Sequence, residues 1–326
     1  MLRRYLQALR ATGGSGAGAR RSHPVRVIET AAPADLRRAI TRPSDQTLLR
    51  TAGWAMTVFA ALFLGLVLHL FVLSNLAEHR SQSTLYGTFR AELAFGTAPI
   101  GQVDDTGALL KLGAPVAVLS IPSLGMTDTV VEGTTSRALL AGPGHRRDTA
   151  LPGQQGISVI YGRQAAYGGP FADVGHLKVG ARIVTTTGQG RATYQVIDAR
   201  HAGDKAVALP TATSGRLTLV TAEGTPLMSG AVTRVDAALV GTAFPTPQPV
   251  LRPGTLSPAE EALASDPSGW LPLFLWGELA LLVVAGVIVA LRRWGKWHAW
   301  IVGVPVALLV GVEMAQQIVV VMPNLY

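Results

Sequence analysis

The 326-residue chain contains no cysteine, which excludes thiol catalysis, thiolate metal sites and disulfides. The side chains left to serve as nucleophile, base or anion clamp are few and scattered. The run Leu217-Thr218-Leu219-Val220-Thr221-Ala222-Glu223 follows Ser214-Gly215 and breaks at Gly224-Thr225-Pro226, so it reads as a strand opening into a loop. Thr221 and Ala222 stand at its end on opposite faces, because side chains alternate along a strand. Thr221 carries a hydroxyl with no base beside it, and Ser229 sits in the loop without a matched histidine. His145 and His176 are single histidines, and a lone surface histidine is most often simply solvated. Arg163, just after Tyr161-Gly162, stays protonated at any ordinary pH and cannot cycle as an acid–base group. Arg234 either points toward the same end as Ala222 or is a polar residue at a strand edge.

Short β-like runs separated by Gly/Pro turns must position these groups, the pattern of an all-β barrel or sandwich. The spacing predicts strands over 116–121, 127–131, 158–161, 182–187, 192–200, 216–221 and 232–240, with a short helical turn over 170–177. The β domain spans 116–243. Residues 78–115 form a linker with helical periodicity around 85–95, and 244–269 form a second one containing Pro245, Pro247, Pro249, Pro253 and Pro258. A proline-rich stretch of this kind acts as a semi-rigid spacer.

Three apolar stretches flank this domain. Residues 51–77 carry no formal charge, which exceeds the roughly 20 residues needed to cross a bilayer core. Residues 270–291 and 299–322 are the second and third, joined by the basic, aromatic loop 292–298. The net charge of +8 is concentrated in residues 1–50, where 10 Arg face Glu29, Asp35 and Asp45. Beside an apolar helix, such a tail reads as a cytoplasmic orientation signal rather than a nucleic-acid arm, and no aromatic stacking set accompanies it. The expected topology is an Arg-rich cytoplasmic tail, three spans in the plasma membrane, and both the β domain and the C-terminal end outside. His69, Glu278 and Glu313 lie inside the spans, about 4–7 Å outward of their centres. They either bond the helices together, receive a partner's transmembrane helix, or line an ion path. His69 is expected to touch at least one of the glutamates.

The β domain resembles sortases, most of all the class E type of actinobacteria. The Leu-Thr-Leu-Val-Thr strand at 217–221 is similar to the strand that ends in the sortase cysteine. Four earlier segments match in order: Ile121-Pro122-Ser123-Leu124-Gly125 with Val130-Val131-Glu132-Gly133; Leu140-Ala141-Gly142-Pro143-Gly144-His145; Thr149-Ala150-Leu151-Pro152-Gly153; and Tyr167-Gly168-Gly169-Pro170-Phe171. The resemblance implies an all-β sortase-like barrel of about 7–8 strands on a three-helix membrane anchor. It also implies a Cys nucleophile, a His proton carrier and an Arg that steadies developing charge. Here Ala222 holds the cysteine place and Arg163 the histidine place, while Val232, or Arg234 two residues on, holds the arginine place. A methyl group cannot form a thioester. The chain is therefore expected to be a sortase-like pseudoenzyme that binds a peptide or surface protein, or that scaffolds a cell-envelope complex. An active, cysteine-independent transpeptidase or hydrolase is the alternative. The groove residues would be Tyr161, Arg163, Thr221, Ala222, Glu223 and Arg234, with Arg163 adding a fixed positive charge that favours an acidic ligand. No metal, cofactor or nucleic acid is expected.

Overall fold

Alternating apolar residues close eight strands on themselves in a computed structural model that describes residues 45–205, 207–225 and 230–326. The tail up to residue 44 and Ser229 lie outside the described residues. The chain divides into two units, residues 1–48 and 49–326, and the fold is that of the second. Its strands are β1 (Pro115–Ile121), β2 (Met126–Glu132), β3 (Gly144–His145), β4 (Gly156–Tyr161), β5 (Arg182–Thr187), β6 (Gly190–Arg200), β7 (Gly215–Glu223) and β8 (Ala231–Val240). They run β1-β2-β3-β4-β7-β8-β6-β5 around a closed barrel, which leaves no free edge. The core follows the two-residue period: Leu217 and Leu219 of β7 join Leu119, Ile160, Tyr194 and Val235 inside.

Most pairs are antiparallel, but β4 and β7 run parallel, with Tyr161 opposite Val220. Parallel pairing brings both strand ends to the same rim, so Gly162-Arg163 arrives level with Ala222. Strand β3 was not expected. It is two residues long, too short for a periodic signal, and pairs parallel to β2 at Val131 and Glu132. The buried contact between His145 Nδ1 and Glu132 Oε2, at a hydrogen-bond distance of 2.9 Å, accompanies that pairing.

A continuous helical segment precedes the barrel: α1 (Asp45–Leu68), a π-helical turn (His69–Leu73) and α2 (Ser74–Phe95). The expected linker thus begins as a helix docked on the barrel. Gln82 of α2 mimics a strand edge, accepting from the Thr129 amide at 2.6 Å while its side-chain amide donates to the carbonyls of Thr129 and Ala141. The proline-rich segment is also fastened down. The Phe244 amide donates to the Gly153 carbonyl, and Gln102 accepts from the amides of Val250 and Leu251.

Two helices after the barrel are long and apolar enough to cross a membrane, Pro267–Arg293 and Trp297–Val321; Ala55–Leu68 is a shorter apolar helix. The stretch expected as the first span ends at the barrel, since Ser74 is buried and Asn75 accepts from the Gly168 amide. The last two helices, α3 (Trp270–Arg293) and α4 (Lys296–Val321), are joined by Trp294-Gly295. Gly295 sits at φ +85°, where a side chain would strain so tight a reversal. Helix α1 packs against α4, with Leu62 near Gly311 and Gly65 near Leu308.

Glu78 sits where α2 meets the barrel, buried against Gly168. Burial, and then the neighbouring charge of Asp128, push its carboxyl up to about 7. A folded-state value above the unfolded one gives stability that is present at pH 4 and lost as pH rises through 7. Replacing Glu78 by Gln is expected to flatten that dependence, raising the melting temperature at pH 8 relative to wild type. Parallel melting profiles from pH 4 to 8 would show that Glu78 is not the group responsible.

Candidate functional site: a sealed centre beside an open groove

The three places that matter meet at one rim of the barrel. Ala222 pairs directly with Val232 across β7 and β8, and Val220 pairs with Arg234. The Gly162 amide donates to the Val220 carbonyl, extending the β4–β7 ladder so that Arg163 comes beside Ala222. Gly162 is required here, because a Cβ would be driven into the Phe171 ring.

This centre is closed. Ala222 is 2% exposed and shares an apolar cluster with Leu139, Tyr161, Val220, Val232 and the fully buried Leu325. Arg163 is 0% exposed. Its Nη1 donates to the main-chain oxygen of Tyr326 at 2.8 Å, and its Nη2 donates to Ser136 O at 2.9 Å and Ser136 Oγ at 2.8 Å. The guanidinium also lies over the Tyr167 ring, 5.9 Å from its centroid. No Asp or Glu side chain pairs with it among the described residues. Burial pushes Arg163 down to about 10, with the Tyr167 phenol opposing. It therefore remains a cation at neutral pH and cannot serve as a base.

Among the described residues, the other candidate groups are engaged elsewhere or stand apart from Ala222. Thr221 is turned away from Ala222, and its hydroxyl donates to the Phe171 carbonyl at 3.3 Å. His145 is locked between Glu132 and the Ala150 carbonyl, and His176 is exposed beside Asp173. His201, which the sequence reading passed over, meets Glu223 at 2.9 Å and the Thr233 hydroxyl at 3.4 Å. Both contacts fall on its Nδ1, so the imidazole cannot relay a proton from the hydroxyl to the carboxylate.

Beside the centre, a groove of about 760 Å³ runs over the outer face of β4, β7 and β8, between the segments around residues 200–209 and 246–254. Tyr161 and Arg234, two of the expected groove residues, line it. Its other charges are paired: Arg146 with Asp148 and Glu261, and Arg200 with Asp236. Arg216 is spent on the carbonyls of Val207 and Ala208. Arg234 makes no hydrogen bond or ion pair among the described residues, which leaves a cation available to a ligand. Arg146, Arg200 and Arg216 were missed because only the strand register puts them on one face.

His69, Glu278 and Glu313, expected inside the spans, share no hydrogen bond or ion pair among the described residues. His69 is buried and turned to the barrel, its Nε2 lying 3.2 Å from the Tyr167 hydroxyl with the rings edge-on. Neither Glu278, which is exposed, nor Glu313 contacts it through a hydrogen bond or ion pair among the described residues.

Residues 119–234, from β1 into β8, match the family model described as the sortase domain. With the closed eight-stranded barrel, this match supports placing the chain in the sortase family. Among solved structures, sortase E from Streptomyces avermitilis is 30% identical, with 47% of this chain covering 100% of that one at a TM-score of 0.35. The Clostridium perfringens sortase D5 transpeptidase is 22% identical, with 50% and 99% covered and a TM-score of 0.42. Sortase E1 from Streptomyces coelicolor, solved with a tripeptide in its active site, is 21% identical over 40% and 91%, at a TM-score of 0.35. No curated protein matches the chain.

Replacing Arg163 by Ala removes a large buried side chain and strands Ser136 and Tyr326 oxygens, so a loss of about 3 kcal/mol of stability is expected. His176→Ala, at an exposed site, should cost less than about 0.5 kcal/mol. Urea titration of both variants checks the contrast, and equal midpoints would contradict it.

Proposed function

We propose that the chain is a membrane-anchored sortase-like protein that binds an extended peptide or surface protein and does not cut it. The observation that carries this reading is the sealed centre. A methyl group stands at the nucleophile place under Leu325, and a buried cation stands at the base place. The adjacent groove remains open, and its floor presents side chains of β4, β7 and β8 along which an extended ligand could lie. Arg234 favours an acidic residue or carboxylate on that ligand.

The anchor is read as three spans. Helices α3 and α4 have the length and apolarity to cross a bilayer, and the apolar part of α1 lies alongside α4 and completes the bundle. Arg292, Arg293 and Lys296 at the α3–α4 reversal, and the Arg-rich sequence that precedes α1, favour a cytoplasmic side for the reversal and an external barrel.

The full chain in detergent, incubated with sorting-signal peptides and followed by mass spectrometry, is expected to give neither cleavage nor an acyl adduct. Fluorescence anisotropy with an acidic peptide should show binding that Arg234→Ala weakens about tenfold. Turnover by the wild-type chain would overturn the reading. Binding indifferent to Arg234 would move the ligand elsewhere.

A further inference from the structure

The segment Pro323-Asn324-Leu325-Tyr326 closes the centre in the manner of a ligand. It forms a turn in which the Tyr326 amide donates to the Pro323 carbonyl, presenting Leu325 to the apolar cluster around Ala222 and Val232. Several of the barrel's contacts read its main chain: Arg163 Nη1 donates to the Tyr326 oxygen and the Gln164 amide donates to the Leu325 carbonyl. Asn324 adds a side-chain anchor, donating to the carbonyls of Thr134 and Glu261. Main-chain recognition around one aliphatic side chain can be reproduced by another polypeptide.

The turn is also tied to the membrane hairpin and borders the groove. Ser136 Oγ donates to the Val319 carbonyl at the end of α4 and accepts from Arg163 Nη2, while Arg163 Nη1 holds the Tyr326 oxygen, so the end of α4 and the turn are linked through these two residues. Tyr161 and Val220 line the groove and also belong to the cluster that holds Leu325, so removing the turn would extend the groove to Ala222.

We propose that Pro323–Tyr326 is a resident, in-chain ligand of the former reaction centre. A partner segment presenting a leucine-sized aliphatic side chain beside a free main-chain oxygen takes the same site only when the turn withdraws. The proposal rests on the binding reading above and assigns that site its ligand class and its gate. A tethered ligand acts at an effective concentration of roughly millimolar, so a partner competes poorly until movement of α4 draws the turn away.

The absence of native cysteine makes the test direct. In the full chain in nanodiscs, Ala222→Cys supplies a single thiol whose alkylation by a water-soluble maleimide reports whether the centre is covered. Labelling is expected to be at least about tenfold faster when Leu325→Asp is added or the chain is truncated after Met322. The milder Leu325→Ala, which keeps the turn, should fall between. A synthetic Met-Pro-Asn-Leu-Tyr peptide should slow labelling of the truncated chain again, and the same peptide with Asp for Leu should not. Equal labelling of full and truncated chains, or no protection by the peptide, would overturn the proposal while leaving the groove's binding role intact. Peptide turnover by the wild-type chain would instead sink the binding reading and leave the resident turn standing.

Discussion

A buried guanidinium with no Asp or Glu partner among the described residues organises this molecule. Arg163 cannot be left unsolvated in the interior, and the groups that solvate it are oxygens of Ser136 and Tyr326 together with the Tyr167 ring. Each of those partners belongs to something larger. Ser136 also holds the end of α4, Tyr326 completes the turn that buries Leu325, and Tyr167 receives His69 from the π-helical turn beyond α1. Holding the two Nη groups of one cation, whose Nε has no partner, thus links the barrel to the helices at two points and to the turn that covers Ala222.

The same arrangement separates two properties that sortase chemistry joins. On the proposed reading, binding needs a groove with a few charges, and one lies over the outer face of β4, β7 and β8. Cutting needs a nucleophile and a proton carrier at the end of the groove, and that end holds Ala222, Val232 and a leucine from the chain itself. The ion pairs Arg146–Asp148 and Arg200–Asp236 neutralise most of the groove and leave Arg234 as its available cation.

Much of the barrel was legible in the sequence because β strands with one buried face announce themselves by alternation; Leu217 and Leu219 pointing inward fix where Ala222 points. Strand β3 was not legible, since two residues carry no period and Gly144 pairs only where tertiary structure brings Val131 to it. The register of the parallel β4–β7 pair joins residues about 60 apart, which explains why Arg163 could be set beside Ala222 through a family resemblance but not through local pattern. The role of Leu325 was invisible for a different reason. It follows an apolar helix and reads as a frayed end, and only the three-dimensional path of α4 returns it to the barrel. His69 showed the opposite error, in which a polar residue in an apolar run was assigned to neighbouring helices although its partner was a loop tyrosine of the barrel.

Hydrogen–deuterium exchange on the full chain in lipid nanodiscs tests the central claim most directly. In the closed centre the Asn324 amide donates to the Ala264 carbonyl and the Gln164 amide to the Leu325 carbonyl. Both should exchange orders of magnitude more slowly than in a free peptide, and both should lose that protection together in Arg163→Ala. Free-peptide exchange at Asn324 and Gln164 in the wild-type chain would mean that the centre stands open and that Arg163 does not hold it shut.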